Sequence, residues 1–231
     1  MNRKPIFDAV RAMLGRSFSP AEVEALDRAI TQANAGGEPV PGGAPNHVLK
    51  NADAFYNAVR KVTGPLDQVQ VDIINRLLTA ASGHGLGWIA YEFATAWHEA
   101  RLKPIEEWGK GKGRDYGKVN STGKAPYGRG LVQLTWHDNY VRADTELGLN
   151  GTLAKNYDRA LEPEIAVEIL VRGMAKGWFT GKSLGTYIGT GAGALEEFTD
   201  ARRIINGTDR AAPIAGIAIQ FQDAFIAGGW A

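Results

Sequence analysis

Residues 86–99 read LGWIAYEFATAWHE, an apolar run that closes on the pair His98-Glu99. Ile89, Phe93 and Trp97 recur at a spacing of four, which aligns them on one helix face. The pattern predicts a buried helix, and Pro104 prevents its simple continuation. Downstream, 162–178 and 195–206 read as helices, the first opening at Glu162-Pro163, and 213–227 reads as an apolar helix that closes the core. Residues 131–140, LVQLTWHDNY, start as a short strand or a helix, and strand patterns are otherwise sparse. The expected fold class is all-α.

Upstream, the chain echoes itself. Residues 6–30 read IFDAVRAMLGRSFSPAEVEALDRAI, and 55–78 read FYNAVRKVTGPLDQVQVDIINRLL. Val10-Arg11 matches Val59-Arg60, and Gly15 matches Gly64. Each copy predicts helix, glycine turn, helix, with Ser19 and Asp67 as N-caps. Two copies are too few for a solenoid. Between them, AGGEPVPGGAP (35–45) reads as a tether. The expected organisation is an N-terminal helical hairpin (1–34), a Gly/Pro-rich linker (35–47) and a main domain (48–231). The hairpin either packs on a larger core or binds a cell wall or a partner.

The balance of 26 Lys and Arg against 25 Asp and Glu gives a net charge of +1, which argues against general nucleic-acid binding. A local basic patch remains in Lys110, Lys112, Arg114 and Lys118. The absence of cysteine excludes disulfide scaffolds, thiolate zinc sites and a cysteine nucleophile. The first fourteen residues do not read as a secretory signal, because Asp8 and Arg11 interrupt them. No stretch approaches the ~18 apolar residues that span a bilayer, so stable membrane insertion is not expected.

Several residues are candidates for chemistry. Glu99 ends an apolar helix, and a carboxyl against an apolar wall has its charged form desolvated, as suits a general acid. A helix-terminal carboxylate facing water is the plain alternative. Glycosidic cleavage commonly uses two carboxyls on opposite sides of the bond. A break at Pro104 lets the chain bring Glu106 or Glu107 back across a cleft, and Glu92, two turns before Glu99, is a rival. Residues 109–130 hold seven glycines and read as a long loop, a feature that is often functional. Tyr127-Gly128-Arg129-Gly130, Gln133, Thr135 and Asn139 form a dense set of sugar-type hydrogen-bonding groups. No HExxH accompanies the scattered His47, His84, His98 and His137, and no G-x-S-x-G elbow is present.

ATAWHEA (94–100), PIEEWG (104–109), DYGK (115–118) and YGRGLVQLTWHDNY (127–140) together resemble the family 19 glycoside hydrolases, which include chitinases and phage endolysins. RGMAKGWFTGKSL (172–184) and ARRIINGTDRA (201–211) resemble the phage branch. The resemblance implies a lysozyme-like, two-lobed helical domain with a cleft, preceded by the small hairpin. It implies Glu99 as general acid and Glu107, ahead of Trp108-Gly109, as general base, with Glu106 as fallback. Thr135 would help to hold the water. Gln133, Asn139 and Asn206 would contact sugar beside His98, and Tyr127 and Arg129 would shape the cleft floor. The implied activity is inverting hydrolysis of β-1,4 bonds in peptidoglycan for host lysis, without metal or cofactor. Chitin hydrolysis and non-catalytic wall binding are the alternatives. The implied setting is synthesis in the host cytoplasm, membrane permeabilisation by a separate holin, and action in the periplasm as a monomer. Plant members differ, with a Thr-Thr-Gly-Gly-like run after His-Glu and several disulfides. This chain has Ala100-Arg101-Leu102 and no cysteine.

Overall fold

The computed structural model describes residues 47–231, which are mostly helical. The hairpin expected over 1–34, the Ser19 cap and the linker as far as residue 46 lie outside the described residues.

The second of the two echoed segments forms helices α1 (Ala52–Thr63) and α2 (Gln68–Ala80). Asn51 caps α1 by accepting from the Ala54 amide at 3.0 Å. The expected Asp67 cap is present and reciprocal. Asp67 accepts from the Gln70 amide and the Gln70 side chain accepts from the Asp67 amide, each at 3.0 Å.

The apolar run forms α3 (Leu86–Ala100), and its burial extends almost all round. A helix so covered belongs in a core rather than on a surface. Its entry is tight: a Cβ on Gly85 would lie 2.3 Å from the Thr190 carbonyl oxygen. Trp97, expected on the buried stripe, is only partly covered, with the Arg101 guanidinium 4.8 Å from its ring centroid.

Helix α3 ends before Pro104. Arg101 and Leu102 both adopt left-handed backbone, at φ 52° and 56°. The Leu102 amide reaches back to the Ala96 carbonyl at 3.1 Å, and the Gln70 side chain donates to the Arg101 carbonyl at 2.9 Å. Strand β1 (Ile105–Glu106) then pairs antiparallel with β2 (Arg129–Gly130), Ile105 opposite Gly130 and Glu106 opposite Arg129. Between the strands the long loop carries one 3-10 turn, Asp115–Gly117. Within 131–140 a turn comes first, and α4 (His137–Glu146) begins only after Trp136.

The remaining helices are α5 (Thr152–Lys155), α6 (Pro163–Lys176), α7 (Leu184–Tyr187), α8 (Leu195–Ala201) and α9 (Ala211–Gly228), with a 3-10 turn at Tyr157–Leu161. Pro163 occupies the first turn of α6, as its sequence position predicts. The helix expected over 195–206 stops at Ala201 and tightens into a 3-10 turn, Arg202–Ile204. Helix α9 packs against α1, α3 and α8, while α6 lies on α2. Its buried Ile214, Ala218, Phe221 and Phe225 follow helical spacing. Phe93 of α3 meets Phe225 edge-on at 5.0 Å, and Phe55 of α1 meets Phe225 at 4.9 Å. These rings fix α3 in the core, and α3 carries Glu99 at its far end.

Phe93→Ala is expected to lower the unfolding free energy by about 3–5 kcal/mol, because it opens a cavity among rings that cannot collapse into it. Urea denaturation measures the change, and a loss within the range of a surface substitution would contradict the packing described.

Candidate active site

Glu99 is the penultimate residue of α3, with its side chain 17% exposed. Arg202, only 4% exposed, donates to its Oε1 at 2.5 Å. The same guanidinium donates through Nε to the Asp209 carbonyl at 2.9 Å, so its position is fixed from two sides. The apolar wall expected behind Glu99 is therefore interrupted by a buried cation. Tyr91, one face of that wall, stacks on Phe198 at 5.8 Å, and burial pushes its hydroxyl pKa well up. His98 is partly buried, and that burial, with Arg202, Arg101 and Arg210 nearby, holds its imidazole below the usual histidine range. Asn206 is exposed on the segment that follows the Arg202 turn, and its amide donates to the Arg202 carbonyl at 3.0 Å.

Past the corner, Glu106 and Glu107 engage different partners. Glu106 accepts from the Tyr127 hydroxyl at 2.5 Å and pairs with Lys110 at 3.0 Å. Those two contacts, Tyr127 first, hold its carboxyl below the ordinary range. A carboxylate so satisfied is a poor base. Glu107 has no ion-pair partner among the described residues. Its Oε1 accepts from the Tyr116 hydroxyl at 3.0 Å and its Oε2 from the Gly128 amide at 3.1 Å, while its own amide donates to the Gly128 carbonyl at 2.7 Å. Both oxygens are thus oriented by neutral donors. The loop behind Tyr116 is close-packed: a Cβ on Gly117 would fall 1.9 Å from the Gly111 carbonyl oxygen.

Glu92 is ruled out as the second carboxyl. It is completely buried, burial pushes its pKa up, and its Oε1 meets His84 Nδ1 at 2.9 Å, away from solvent. Its other oxygen, Oε2, is buried without a hydrogen-bond partner among the described residues.

The residues of 127–140 divide by role. Arg129 is 2% exposed; its Nε meets Asp158 at 3.0 Å and its Nη1 donates to the Ala125 and Tyr127 carbonyls. Its guanidinium lies 3.6 Å from the centroid of the buried Tyr127 ring. Arg129 therefore buttresses this segment from within. Gln133, in left-handed backbone at φ 54°, donates to the Ile105 and Gly130 carbonyls at 3.1 and 3.2 Å. Its amide nitrogen holds the strand pair, and its amide oxygen makes no hydrogen bond among the described residues and lies beside Gly128. Asn139 donates to the Thr135 carbonyl at 2.9 Å and keeps its amide oxygen. The Thr135 hydroxyl makes no hydrogen bond among the described residues.

The sequence reading missed Arg202 and Tyr116 as site residues. Arg202 lies 103 positions from Glu99, and only the double arginine of ARRIING hinted at it. Tyr116 sits inside the quoted DYGK, where its hydroxyl gave no sign of a partner nine residues back. Among the described residues no group of three or more His, Cys, Asp or Glu is arranged to hold a metal ion.

The Glu106 contacts make stability depend on pH with a definite sign. A carboxyl whose folded pKa is depressed stabilises above its ordinary value of 4.5, and that contribution disappears as pH falls through the folded value. Tyr127→Phe removes the larger of the two contacts. The stability gap between wild type and Tyr127→Phe is expected to narrow from pH 7 to pH 3 in urea denaturation, and a gap that widens toward acid would contradict the assignment.

Comparison with known proteins finds no family model, no curated protein and no solved structure that matches the chain.

Proposed function

We propose that the chain is an endolysin-type glycoside hydrolase that cuts the β-1,4-linked glycan strands of peptidoglycan, with the helices forming lysozyme-like lobes on either side of a cleft. The observation that carries this reading is a pair of dissimilar carboxyls reached by one sharp corner. Glu99 is mostly buried against Arg202, and Glu107 is oriented at both oxygens by Tyr116 and Gly128. The family 19 motifs that converge on these same residues support it.

In this mechanism Glu99 gives its proton to the glycosidic oxygen as the C–O bond breaks. Glu107 takes a proton from a water that attacks the anomeric carbon from the opposite face, and the Thr135 hydroxyl accepts a hydrogen bond from that water. The attack inverts the configuration. Glu99 is left as a carboxylate, and Arg202 at 2.5 Å meets the negative charge that appears there. A fixed cation aimed at developing charge stabilises the transition state more than the ground state. Glu106 stays ionised and holds Tyr127 and Lys110 in place.

The loop cations favour an anionic glycan. Lys110 and Lys118 are paired with Glu106 and Asp115, whereas Lys112 and Arg114 are exposed and have no ion pair among the described residues. Carboxylates of the muramyl lactyl groups and stem peptides supply what these cations attract.

Purified Gram-negative sacculi test the reading. Wild type is expected to release reducing ends and clear turbidity, and Glu99→Gln and Glu107→Gln each to lose about 10²–10⁴-fold in rate while remaining folded by circular dichroism. Activity on chitin oligomers with inert sacculi would move the substrate to chitin. Binding to sacculi without any release of reducing ends would replace the enzyme with a wall-binding protein.

A further inference from the structure

Two exposed tryptophans flank Glu107. Trp108, its chain neighbour, is 99% exposed, and Trp136 is 49% exposed. The Trp136 ring meets Tyr116 edge-on at 5.3 Å, and the Tyr116 hydroxyl donates to Glu107. Core burial explains neither indole. Local backbone preference does not explain Trp136 either, because it sits at φ 69° in the position that caps α4, with no side-chain capping bond. Glycine suits that backbone, and Ser, Thr, Asp or Asn suits the cap. The residue is nevertheless firmly held. Its amide donates to the Pro126 carbonyl at 2.9 Å, and its own carbonyl accepts the Asn139 and Tyr140 amides. Backbone strain held in place in this way clusters at active sites and ligand clamps.

We propose that Trp136 is the stacking face of a pyranose subsite on the Glu107 side of the site, with Tyr116 as the link that sets Glu107 when the sugar docks. The occupant follows from the surroundings. Thr135 precedes Trp136 and Asn139 follows it by three positions, and neither the Thr135 hydroxyl nor the Asn139 amide oxygen makes a hydrogen bond among the described residues, so polar groups able to bind hydroxyls accompany the flat indole face. The Glu107 carboxylate would repel the phosphates of a nucleic acid and accepts from hydroxyls. The subsite rests on the glycan-hydrolase reading for its substrate class, and its binding is testable without turnover.

The test uses the full chain in the Glu99→Gln background, titrated with N-acetylglucosamine tetramer and with soluble, peptide-free glycan strands, reading tryptophan fluorescence and calorimetric affinity. Trp136→Ala is expected to weaken binding by about tenfold and remove most of the fluorescence change, with Trp136→Phe restoring most of the affinity. In the otherwise wild-type enzyme Trp136→Ala is expected to raise KM and also, through Tyr116 and Glu107, to lower kcat. Equal affinity for Trp136→Ala and its parent would overturn the subsite and leave the hydrolase intact. No binding of either glycan by any of the proteins would also overturn it. Binding that depends on Trp136 in a protein with no activity on sacculi would support the subsite and count against the hydrolase.

Discussion

The corner at Arg101 and Leu102 is the constraint on which the site depends. Two consecutive non-glycine residues in left-handed backbone cost roughly 1–2 kcal/mol each. Full burial of Leu102 offsets that by about 1.5–3 kcal/mol, and the reach-back of its amide to the Ala96 carbonyl gives that buried donor a partner. Gln70 holds the Arg101 carbonyl from α2, and Lys103 pairs with Asp67, the cap of that same helix. The chain thus leaves α3 one residue after Glu99 and enters β1, which carries Glu106 and is followed directly by Glu107. A helix continued to residue 107 would instead have carried the second carboxyl about 12 Å along its axis and off the first one's face.

The loops around this corner have little apolar surface of their own and are held by buried polar groups. Arg129 ties Asp158 to the carbonyls of 125 and 127, and the Tyr140 hydroxyl donates to the Tyr127 carbonyl at 2.7 Å. Asp144 accepts from the amides of Gly151, Leu153 and Ala154, and so anchors the start of α5. The buried members, Arg129, Tyr140 and Asp144, are satisfied away from water, where a lost partner is costly. They explain why a segment rich in sugar-type polar residues spends several of them on itself. Arg129 shapes the site from within, and the Gln133 amide nitrogen holds the strand pair while its oxygen lies beside Gly128, whose amide donates to Glu107.

Much of the helical layout was legible in the sequence because it rests on local rules. Apolar spacing marked α3 and α9, Glu162-Pro163 marked the start of α6, and Asp67 with Gln70 marked the start of α2. The corner was not legible, since Pro104 suggested a stop but neither Arg101 nor Leu102 carries the glycine or asparagine signature of left-handed backbone. At the site, motif resemblance singled out Glu99 and Glu107, but not what surrounds them. The partner of Glu99 comes from a turn 103 residues away, and the environment expected to be apolar contains that partner's charge. Glu92 looked eligible from helical phase alone, because phase places a residue on a face without saying what covers it.

The direct test of the two-carboxylate account is the anomeric configuration of the newly formed reducing end, read by proton NMR in the first minutes of hydrolysis of a soluble β-1,4 glycan, before mutarotation. Water activated by Glu107 on the face opposite Glu99 predicts the α anomer as first product. A β anomer would mean retention through a covalent or substrate-assisted intermediate, and 1,6-anhydro ends would mean that no water takes part; either result contradicts the account.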